Sequence, residues 1–360
     1  MIEKIQLELT TICNLNCEYC LRPKKFSKID KSVVERINGL AKKFVLYGYG
    51  EPLLHEDVLK IVSSLDGKIA ISTNGMVDER FFEVSEAVDE FGISLDINES
   101  LRLGMNIEKI FRKMERLKGK GIAEVVLTSE NLEEFSSLAE KIALSGFNIM
   151  ATNFIASSKE LYSKTLYFEG SRLNADFLHI DEDFFLKMLK GEEKELSGVL
   201  KLNFCAILEA KERIKVAKRS EKALEEAEEI AKSYGVNFIK PEFFGEAENR
   251  ECPYRDSIFI RADSFISPCM SLAYTHNEFV NRRDNIVEEF ILGNLSDEIE
   301  KIVENKREFE KLRAEMDFPW CGDCGYSTGC WFLDNGMDCY GNKPSCAQCL
   351  YSVGIVKCLI

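Results

Sequence analysis

Cysteine is the residue whose distribution most constrains this chain. Thirteen cysteines occur in 360 residues, three of them between positions 13 and 20 and seven in the last forty positions. The N-terminus shows no basic stretch followed by an apolar run, so no secretory signal is expected and the chain is predicted to be cytoplasmic. A reducing cytoplasm does not sustain disulfides, and clustered thiols there indicate metal or redox chemistry.

The charge and hydropathy of the chain disfavour two classes of protein, nucleic-acid-binding proteins and membrane-spanning proteins. Asp and Glu number 61 against 47 Lys and Arg, a formal net charge of −14, which disfavours a nucleic-acid partner. No apolar stretch approaches the ~20 residues that a membrane-spanning helix needs, so no membrane span is expected. Hydrophobic residues make up 45% of the chain, enough for a sizeable core, and its length suits roughly two domains.

The first 156 residues alternate short apolar runs with amphipathic stretches. The runs predict strands over Ile5–Leu9, Phe44–Tyr47, Ile69–Ser72, Ile93–Ile97, Val125–Thr128 and Ile149–Phe154. Apolar residues three and four apart predict helices over Ser32–Lys43, Glu56–Leu65, Asp78–Phe91, Ile107–Lys118 and Leu132–Ser145. Such alternation is typical of βαβ units on a parallel sheet. We therefore expect an α/β fold, a partial (β/α)6 barrel of the TIM type.

The rest of the chain predicts fewer elements. They are short helix Asp181–Leu189, helix Glu221–Tyr234 stopped by Gly235, strands Ser257–Arg261 and Ser264–Ile266, and acidic helix Asp297–Glu315. We expect a barrel domain over residues 1–245, with its core at 1–156 and a last helix and insertion at 157–245. A cysteine-rich domain follows over residues 246–360.

The first cysteine cluster follows directly on the first predicted strand. Cys13, Cys17 and Cys20 share one short loop there. Structural zinc sites and [4Fe–4S] clusters each normally take four protein ligands. Three thiolates would leave one iron of such a cluster open to a substrate or cofactor. Two alternatives stay open, namely a zinc site completed by His55 and three buried structural thiols.

This spacing, with Tyr19 before the last cysteine, resembles that of the radical S-adenosylmethionine (SAM) superfamily. Three further motifs are similar to that family: Gly48-Tyr49-Gly50-Glu51-Pro52 after the second strand, Ser72-Thr73-Asn74-Gly75 at the end of the third, and Ser94-Leu95-Asp96 on the fourth, followed by Arg102. The four motifs stand in the order that the family has, and the resemblance covers residues 1–156.

The resemblance implies that the three cysteines hold a [4Fe–4S] cluster whose open iron binds SAM. It implies reductive cleavage of SAM to methionine and a 5′-deoxyadenosyl radical, which takes a hydrogen atom from the substrate. Glu51 would accept from the SAM ammonium, and Arg102 would pair with its carboxylate. The expected SAM-binding residues are Tyr19, Gly48, Gly50, Glu51, Thr73, Asn74, Ser94, Asp96 and Arg102. Asp96 has a structural alternative as the cap of its strand.

The later cysteines resemble the SPASM extension of radical SAM enzymes. Cys252 and Cys269 fit its first half, with Ser264 where the family has glycine, and Cys321-x2-Cys324-x5-Cys330 fits its second half. Eight residues then precede Cys339, where the family has three. The family usually holds auxiliary [4Fe–4S] clusters here, so one or two are expected. The resemblance implies one cluster on Cys321, Cys324, Cys330 and a later cysteine, and another on Cys252, Cys269 and Cys339.

Several residues are left with open roles. Cys346, Cys349 and Cys358 are expected metal ligands that the pattern assigns to neither cluster. A zinc ribbon over Cys321, Cys324, Cys346 and Cys349 stays open as an alternative. Cys205, in an apolar stretch, is expected to be a buried thiol, and His276 is expected on a solvated loop.

Residues 152–168, 265–270, 292–295, 321–330 and 338–358 are similar to those of radical SAM maturases linked to tungsten-containing aldehyde:ferredoxin oxidoreductases. This resemblance implies a tungsten enzyme or its tungstopterin as substrate, and a low-potential donor such as ferredoxin. The expected function is modification of that cofactor or polypeptide. The alternatives are a peptide-modifying radical SAM/SPASM enzyme that forms thioether or carbon–carbon crosslinks, and a non-catalytic iron–sulfur electron carrier or zinc module.

Overall fold

A mostly parallel sheet flanked by helices organises the chain. The computed structural model describes residues 2–97, 101–177, 204–311, 313, 316 and 318–358. The strands are β1 (Lys4–Leu7), β2 (Asn16–Cys17), β3 (Lys43–Leu46), β4 (Lys68–Thr73), β5 (Glu90–Leu95), β6 (Arg102–Leu103), β7 (Ile122–Val126), β8 (Asn148–Thr152), β9 (Phe238–Ile239), β10 (Ser257–Ile260), β11 (Phe265–Ser267), β12 (His276–Val280), β13 (Arg283–Val287) and β14 (Gly293–Asn294). The helices are α1 (Val33–Ile37), α2 (Val58–Ser64), α3 (Phe81–Ala87), α4 (Ile107–Leu117), α5 (Phe135–Leu144), α6 (Lys159–Ser163), α7 (Arg172–Phe177), α8 (Phe204–Ser233), α9 (Ile299–Lys311) and α10 (Trp331–Asp334).

The main sheet has the order β14-β11-β10-β1-β3-β4-β5-β7-β8-β9. The six predicted strands of the barrel core are β1, β3, β4, β5, β7 and β8, each parallel to the next. The five predicted helices correspond to α1 to α5, with shorter ends. The expected α/β fold with a partial-barrel arrangement is confirmed. Within the described residues, no ladder joins the two edge strands β14 and β9.

The C-terminal part of the chain extends the same sheet. β10 pairs parallel with β1, with Ser257 opposite Lys4, and β11 and β14 follow as antiparallel edge strands. The strands predicted over Ser257–Arg261 and Ser264–Ile266 are therefore present. The sheet thus continues across residue 245, where the predicted domain boundary stays a prediction.

Side-chain alternation separates the two faces of the sheet. On β1, Ile5 and Leu7 join the apolar core that also contains residues of the flanking helices. Gln6, between them, and Glu8, just after the strand, point to the opposite face of the sheet. Both are buried and make hydrogen bonds there. Successive strand residues point to opposite faces, so one face packs the helices and the other can carry a polar site.

Helix α8 is longer than the sequence pattern indicated. The pattern predicted a helix from Glu221, but α8 begins at Phe204 and packs along α5. It ends before Gly235, whose φ of +72° is the left-handed conformation that favours glycine as a helix stop. Cys205 lies in the first turn of α8, and its burial stays a prediction.

Two further expectations concern single segments. The acidic helix expected over Asp297–Glu315 corresponds to α9. The helix predicted over Asp181–Leu189 lies outside the described residues. Across those that are described, none of the helices combines the length and apolar character that a bilayer-spanning segment needs.

Helix α5 offers a matched test of the packing. Leu138 is 3% exposed and faces the core, whereas Leu144 at the end of the same helix is 66% exposed. We expect Leu138→Ala to lower the free energy of unfolding by about 2–5 kcal/mol, because it leaves a cavity. Leu144→Ala should change it by less than about 0.5 kcal/mol. Chemical denaturation of both variants checks this, and equal losses would contradict the packing of α5.

Candidate active site

A cavity opens where the parallel strands end at their carboxyl termini. In parallel α/β sheets, ligands bind at this edge because the loops of neighbouring strands converge there. The predicted site residues that line the cavity are Cys13, Cys17, Tyr19, Cys20, Gly48, Gly50, Glu51, Thr73, Asn74, Ser94 and Arg102. The fold therefore gathers four motifs that lie up to 89 residues apart in sequence.

The cysteine loop is tied to the rest of the cavity at two points. The Sγ of Cys13 accepts from the backbone N–H of Leu15 at 3.4 Å and from Nδ2 of Asn74 at 3.6 Å. Strand β2 pairs antiparallel with β6, which places Cys17 directly opposite Arg102. Burial raises the pKa of the Cys17 thiol, and the Arg102 guanidinium opposes that effect. The loop thus offers thiols together with donors that stabilise negatively charged sulfur.

The turn after β3 makes close contacts that only glycine allows. A Cβ on Gly50 would overlap the carbonyl oxygen of Thr10, and a Cβ on Gly48 would meet the Glu8 side chain at 2.6 Å. The Tyr49 backbone N–H donates to Glu8 Oε1 at 2.9 Å and fixes the same turn. The two glycines thus let the turn lie against the start of the cysteine loop.

Glu51 is buried and holds the ends of two strands together. Its carboxylate accepts from the Thr73 hydroxyl and the Asn74 backbone N–H, both at 2.7 Å, and from the Leu53 backbone N–H at 3.0 Å. Burial raises the pKa of Glu51, and these donors oppose the rise. A carboxylate has about four lone-pair sites, so one remains for a further donor.

Asp96 takes the structural role that the sequence left open. It is fully buried and accepts from Nδ2 of Asn131 at 2.7 Å. It does not line the cavity, although its charge raises the pKa of Arg102. Its predicted contact with SAM therefore has no support in the geometry.

Arg102 is a buried cation in the cavity wall. Only 5% of it is exposed, and Nε and Nη1 have no hydrogen-bond partner among the described residues. Burial by itself lowers its pKa, but the nearby Tyr19, Cys17 and Asp96 outweigh burial and raise it. A buried guanidinium with free N–H groups is suited to a carboxylate ligand.

Sequence reasoning missed one wall of the cavity. That wall includes Tyr47, Asn153, Met270, Ser271, His276, Tyr351 and Cys358. Asn153 follows β8, as Asn74 follows β4, so strand-end position could have indicated it. The C-terminal residues carried no such signal, since Met270, the first of them, comes 250 positions after Cys20.

The expectation for His276 was wrong. Rather than lying on a solvated loop, its side chain is buried beside Glu278, with Nε2 2.9 Å from Oε1, and it lines the cavity. Its Nδ1 lies 2.8 Å from the Tyr274 carbonyl oxygen. Burial by itself lowers the pKa of His276, but the Glu278 carboxylate outweighs it and raises the pKa.

Eight of the later cysteines fall into two sets by their mutual electrostatic interaction. The first set is Cys252, Cys269, Cys346 and Cys349. The second set is Cys321, Cys324, Cys330 and Cys339. Burial raises the pKa of Cys269 and of Cys321, each to about 12, so these thiols need a compensating positive charge to ionise. Cys339 interacts with Cys321 of the second set, whereas the family pattern groups it with Cys252 and Cys269, and its place as a ligand stays a prediction.

A single-ion site finds no support in this geometry. Among the residues that the structure describes, no three His, Cys, Asp or Glu side chains converge closely enough to hold one metal ion. His55, proposed to complete a zinc site, lies elsewhere, with Nε2 2.8 Å from the Ile29 carbonyl oxygen and Nδ1 accepting from the Asp57 backbone N–H.

Two parts of the chain match the profiles of known families. Residues 7–142 match the profile described as the radical SAM superfamily, and residues 252–325 match that of the SPASM iron–sulfur cluster-binding domain. The chain contains a radical SAM domain, and the expectation of a radical SAM enzyme is confirmed. Its C-terminal iron–sulfur region is of the SPASM type.

Two curated relatives cover most of this radical SAM enzyme. The tungsten-containing aldehyde ferredoxin oxidoreductase cofactor-modifying protein of Pyrococcus furiosus is 25% identical over 99% of this chain and 97% of that protein. A GTP 3′,8-cyclase of Aliarcobacter butzleri is 21% identical over 91% of this chain and 97% of that protein.

Solved structures share the fold. Streptococcus suis SuiB bound to S-adenosylmethionine has a TM-score of 0.55 at 12% identity, over 90% of this chain and 69% of that chain. The enzyme anSMEcpe with bound AdoMet has a TM-score of 0.51 at 16% identity, over 95% and 90% of the two chains. At these identities the likeness concerns the fold alone.

The Gly50 turn yields a prediction. We expect Gly50→Ala to lower thermal stability and to weaken SAM binding, because the added Cβ must displace the Thr10 backbone under the cysteine loop. Gly325→Ala is the control, since a Cβ there meets nothing within 4 Å. Thermal unfolding and equilibrium SAM binding measure the two effects. Wild-type behaviour of Gly50→Ala would contradict the close contact.

Proposed function

We propose that this radical SAM enzyme modifies the cofactor or polypeptide of a tungsten-containing aldehyde:ferredoxin oxidoreductase. The observation that carries the chemistry is the convergence of Cys13, Cys17, Cys20, the Gly48–Glu51 turn and Arg102 on one cavity. The substrate is inferred from the printed name of the Pyrococcus furiosus relative, with which the chain aligns along nearly its whole length.

The three-cysteine loop fits a [4Fe–4S] cluster with one open iron. Its thiols share one cavity, and two N–H groups already point at the Cys13 sulfur. Such hydrogen bonds stabilise thiolate charge and tune a cluster. When bound, the reduced cluster supplies the electron that cleaves SAM to methionine and a 5′-deoxyadenosyl radical.

The charges of the cavity suit SAM, which carries a sulfonium, an ammonium and a carboxylate. Glu51 and Arg102 line the cavity, and the buried carboxyls of Asp96 and Glu124 do not line it but interact electrostatically with the Arg102 guanidinium. Burial raises the pKa of Glu124 to about 7, so its charge is partial at neutral pH. An excess of buried carboxyl groups favours a cationic ligand, and the free N–H groups of Arg102 favour a carboxylate.

The residues that line the cavity then have defined roles in binding SAM. Arg102 holds the SAM carboxylate, and the remaining lone pair of Glu51 accepts from the ammonium. Tyr19, which packs against Phe154 with ring centroids 5.4 Å apart, covers the cysteine loop and excludes water. Thr73, Asn74 and Ser94 supply polar contacts from the strand ends.

The two later thiol sets would each hold one auxiliary [4Fe–4S] cluster. Lys306 and Arg313, both buried, lie near the first set and would offset the charge of its thiolates. In the second set, Cys324 and Cys339 are exposed, so a cluster there would lie at the surface. This position suits electron exchange with a low-potential donor such as ferredoxin.

The core chemistry is tested by anaerobic reconstitution, reduction with dithionite and assay of 5′-deoxyadenosine. We expect wild-type protein to form it and Cys17→Ala to form none. Arg102→Ala should weaken SAM binding about tenfold or more, since a hydrogen bond to a charged group contributes about 1.5–3 kcal/mol. Arg112→Ala, an exposed arginine on α4, is the matched control. Normal product from Cys17→Ala would refute the assignment.

Iron content tests the thiol sets. Three cubane clusters require about 12 irons per chain. The double variant Cys346→Ala/Cys349→Ala should lose about four of them, whereas Cys358→Ala should lose none. Full iron in the double variant, or zinc in place of iron, would overturn the ligand sets.

The substrate is tested with the tungsten oxidoreductase itself. The reduced enzyme and SAM are incubated with that oxidoreductase, and 5′-deoxyadenosine and the masses of its cofactor and polypeptide are followed. We expect faster SAM consumption together with a mass change in one of the two. Consumption stimulated only by a short precursor peptide would favour the peptide-modifying alternative.

A further inference from the structure

The last described part of the chain, residues 351–358, forms one wall of the SAM cavity. We call it the C-terminal segment. The Thr152 hydroxyl at the end of β8 accepts from the Lys357 backbone N–H at 2.8 Å and lies 3.1 Å from the Lys357 carbonyl oxygen. Next to it, Nδ2 of Asn153 donates to the Ile355 carbonyl at 3.1 Å. Two residues at a strand end thus hold this segment against the open edge of the sheet.

These anchors place Cys358 in the cavity. It lines the same space as Cys13, Cys17 and Cys20. Its Sγ lies 3.7 Å from the Tyr254 hydroxyl, and its charge interacts with Tyr47 and Tyr351. The other eight C-terminal cysteines fall into the two thiol sets, whereas Cys358, which packs in the same apolar cluster as Cys252 and Cys269, also lines the SAM cavity.

A second observation indicates that this part of the cavity receives a polar ligand. Asn153 is 1% exposed, and its Oδ1 has no hydrogen-bond partner within the described part of the chain. A buried polar atom without a hydrogen bond costs free energy unless a ligand or a water molecule donates one to it. Asn153 binds the C-terminal segment with its amide nitrogen, so the incomplete oxygen and Cys358 belong to the same wall. Arg102, with its free N–H groups, lines the cavity as well.

We propose that Cys358 is a catalytic hydrogen-atom donor of the SAM cavity. The inference rests on the proposed function, because it needs a carbon radical formed after SAM cleavage. The S–H bond of Cys358 breaks homolytically, and its hydrogen forms a C–H bond at the carbon radical. The resulting thiyl radical takes up one electron and one proton, which restores the thiol. The electron comes from a one-electron reductant, either dithionite in the assay or a reduced iron–sulfur cluster of the first thiol set.

Deuterium transfer tests this without knowledge of the substrate. Reconstituted full-length protein is exchanged into D2O, reduced with dithionite and given SAM alone. In the absence of substrate, the 5′-deoxyadenosyl radical takes its hydrogen from groups that line the cavity. A thiol exchanges with solvent, so Cys358 would deliver deuterium. We expect wild-type protein to give singly deuterated 5′-deoxyadenosine, and Cys358→Ser to lose this label, because a serine O–H bond is too strong to donate.

Two variants serve as controls. Cys205→Ser removes a cysteine from the first turn of α8 and should keep the labelled fraction. Tyr47→Phe removes the hydroxyl of a tyrosine in the same wall and should also keep it. The labelled fraction is measured per 5′-deoxyadenosine formed, so it does not depend on the cleavage rate. The proposal would be overturned if Cys358→Ser still gave deuterated 5′-deoxyadenosine. It would also be overturned if only Tyr47→Phe lost the deuterium label.

A measurement on wild-type protein covers the case in which Cys358→Ser folds poorly. In cluster-loaded protein, saturating SAM should slow alkylation of Cys358 by iodoacetamide, as read by peptide mass spectrometry. Unchanged alkylation with SAM bound would contradict the placement of this thiol. If wild-type protein forms no 5′-deoxyadenosine at all, the proposed function fails and this inference with it. If product forms but label persists in Cys358→Ser, only the inference fails.

Discussion

The parallel ladder between β1 and β10 is the constraint on which the active site depends. It joins residues some 250 positions apart and places the C-terminal region beside the strand that leads into the cysteine loop. Because β1 lies between β3 and β10, the first cysteine cluster emerges in the middle of the sheet. Both halves of the chain can then contribute to one cavity.

Glu8 joins the two sides of this junction by hydrogen bonds. Its buried carboxylate accepts from the backbone N–H of Tyr49, at the glycine turn, and from the backbone N–H of Ala262, after β10. The Tyr274 hydroxyl donates to the same carboxylate. Burial raises the pKa of Glu8, and these donors oppose the rise. One side chain thereby links the turn of the radical SAM core to two parts of the SPASM-type region.

Local signals in the sequence were sufficient for the strands and helices of the core, whereas the first site was expected from a family resemblance. Strands buried on both faces read as short apolar runs, and glycine or polar residues mark where they end. For that reason β1, β3, β4, β5, β7 and β8 could be predicted from sequence, whereas the short pair β2 and β6 was missed. The convergence of Glu51, Asn74 and Arg102 was expected from the family resemblance. The start of α8 was missed although Ala210, Ile214 and Ala217 recur at helical spacing, because the buried polar residues Arg213 and Ser220 interrupt that apolar face. The partner of β10 could not be predicted, since nothing local specifies a strand partner so distant in sequence.

The thiol sets illustrate the same limit and its physical cause. The family resemblance implied that Cys339 belongs with Cys252 and Cys269, but α10 and a tight turn follow Cys330 and bring Cys339 near Cys321 of the second set. The turn is closed by Asp338, whose carboxylate accepts from the backbone N–H groups of Tyr340 and Asn342. The pair Cys346 and Cys349 then lies beside Cys252 and Cys269. Each set already contains four thiols, and Cys358 belongs to neither. The hydrogen bonds between the Thr152 hydroxyl and the backbone of Lys357 place Cys358 at the SAM cavity.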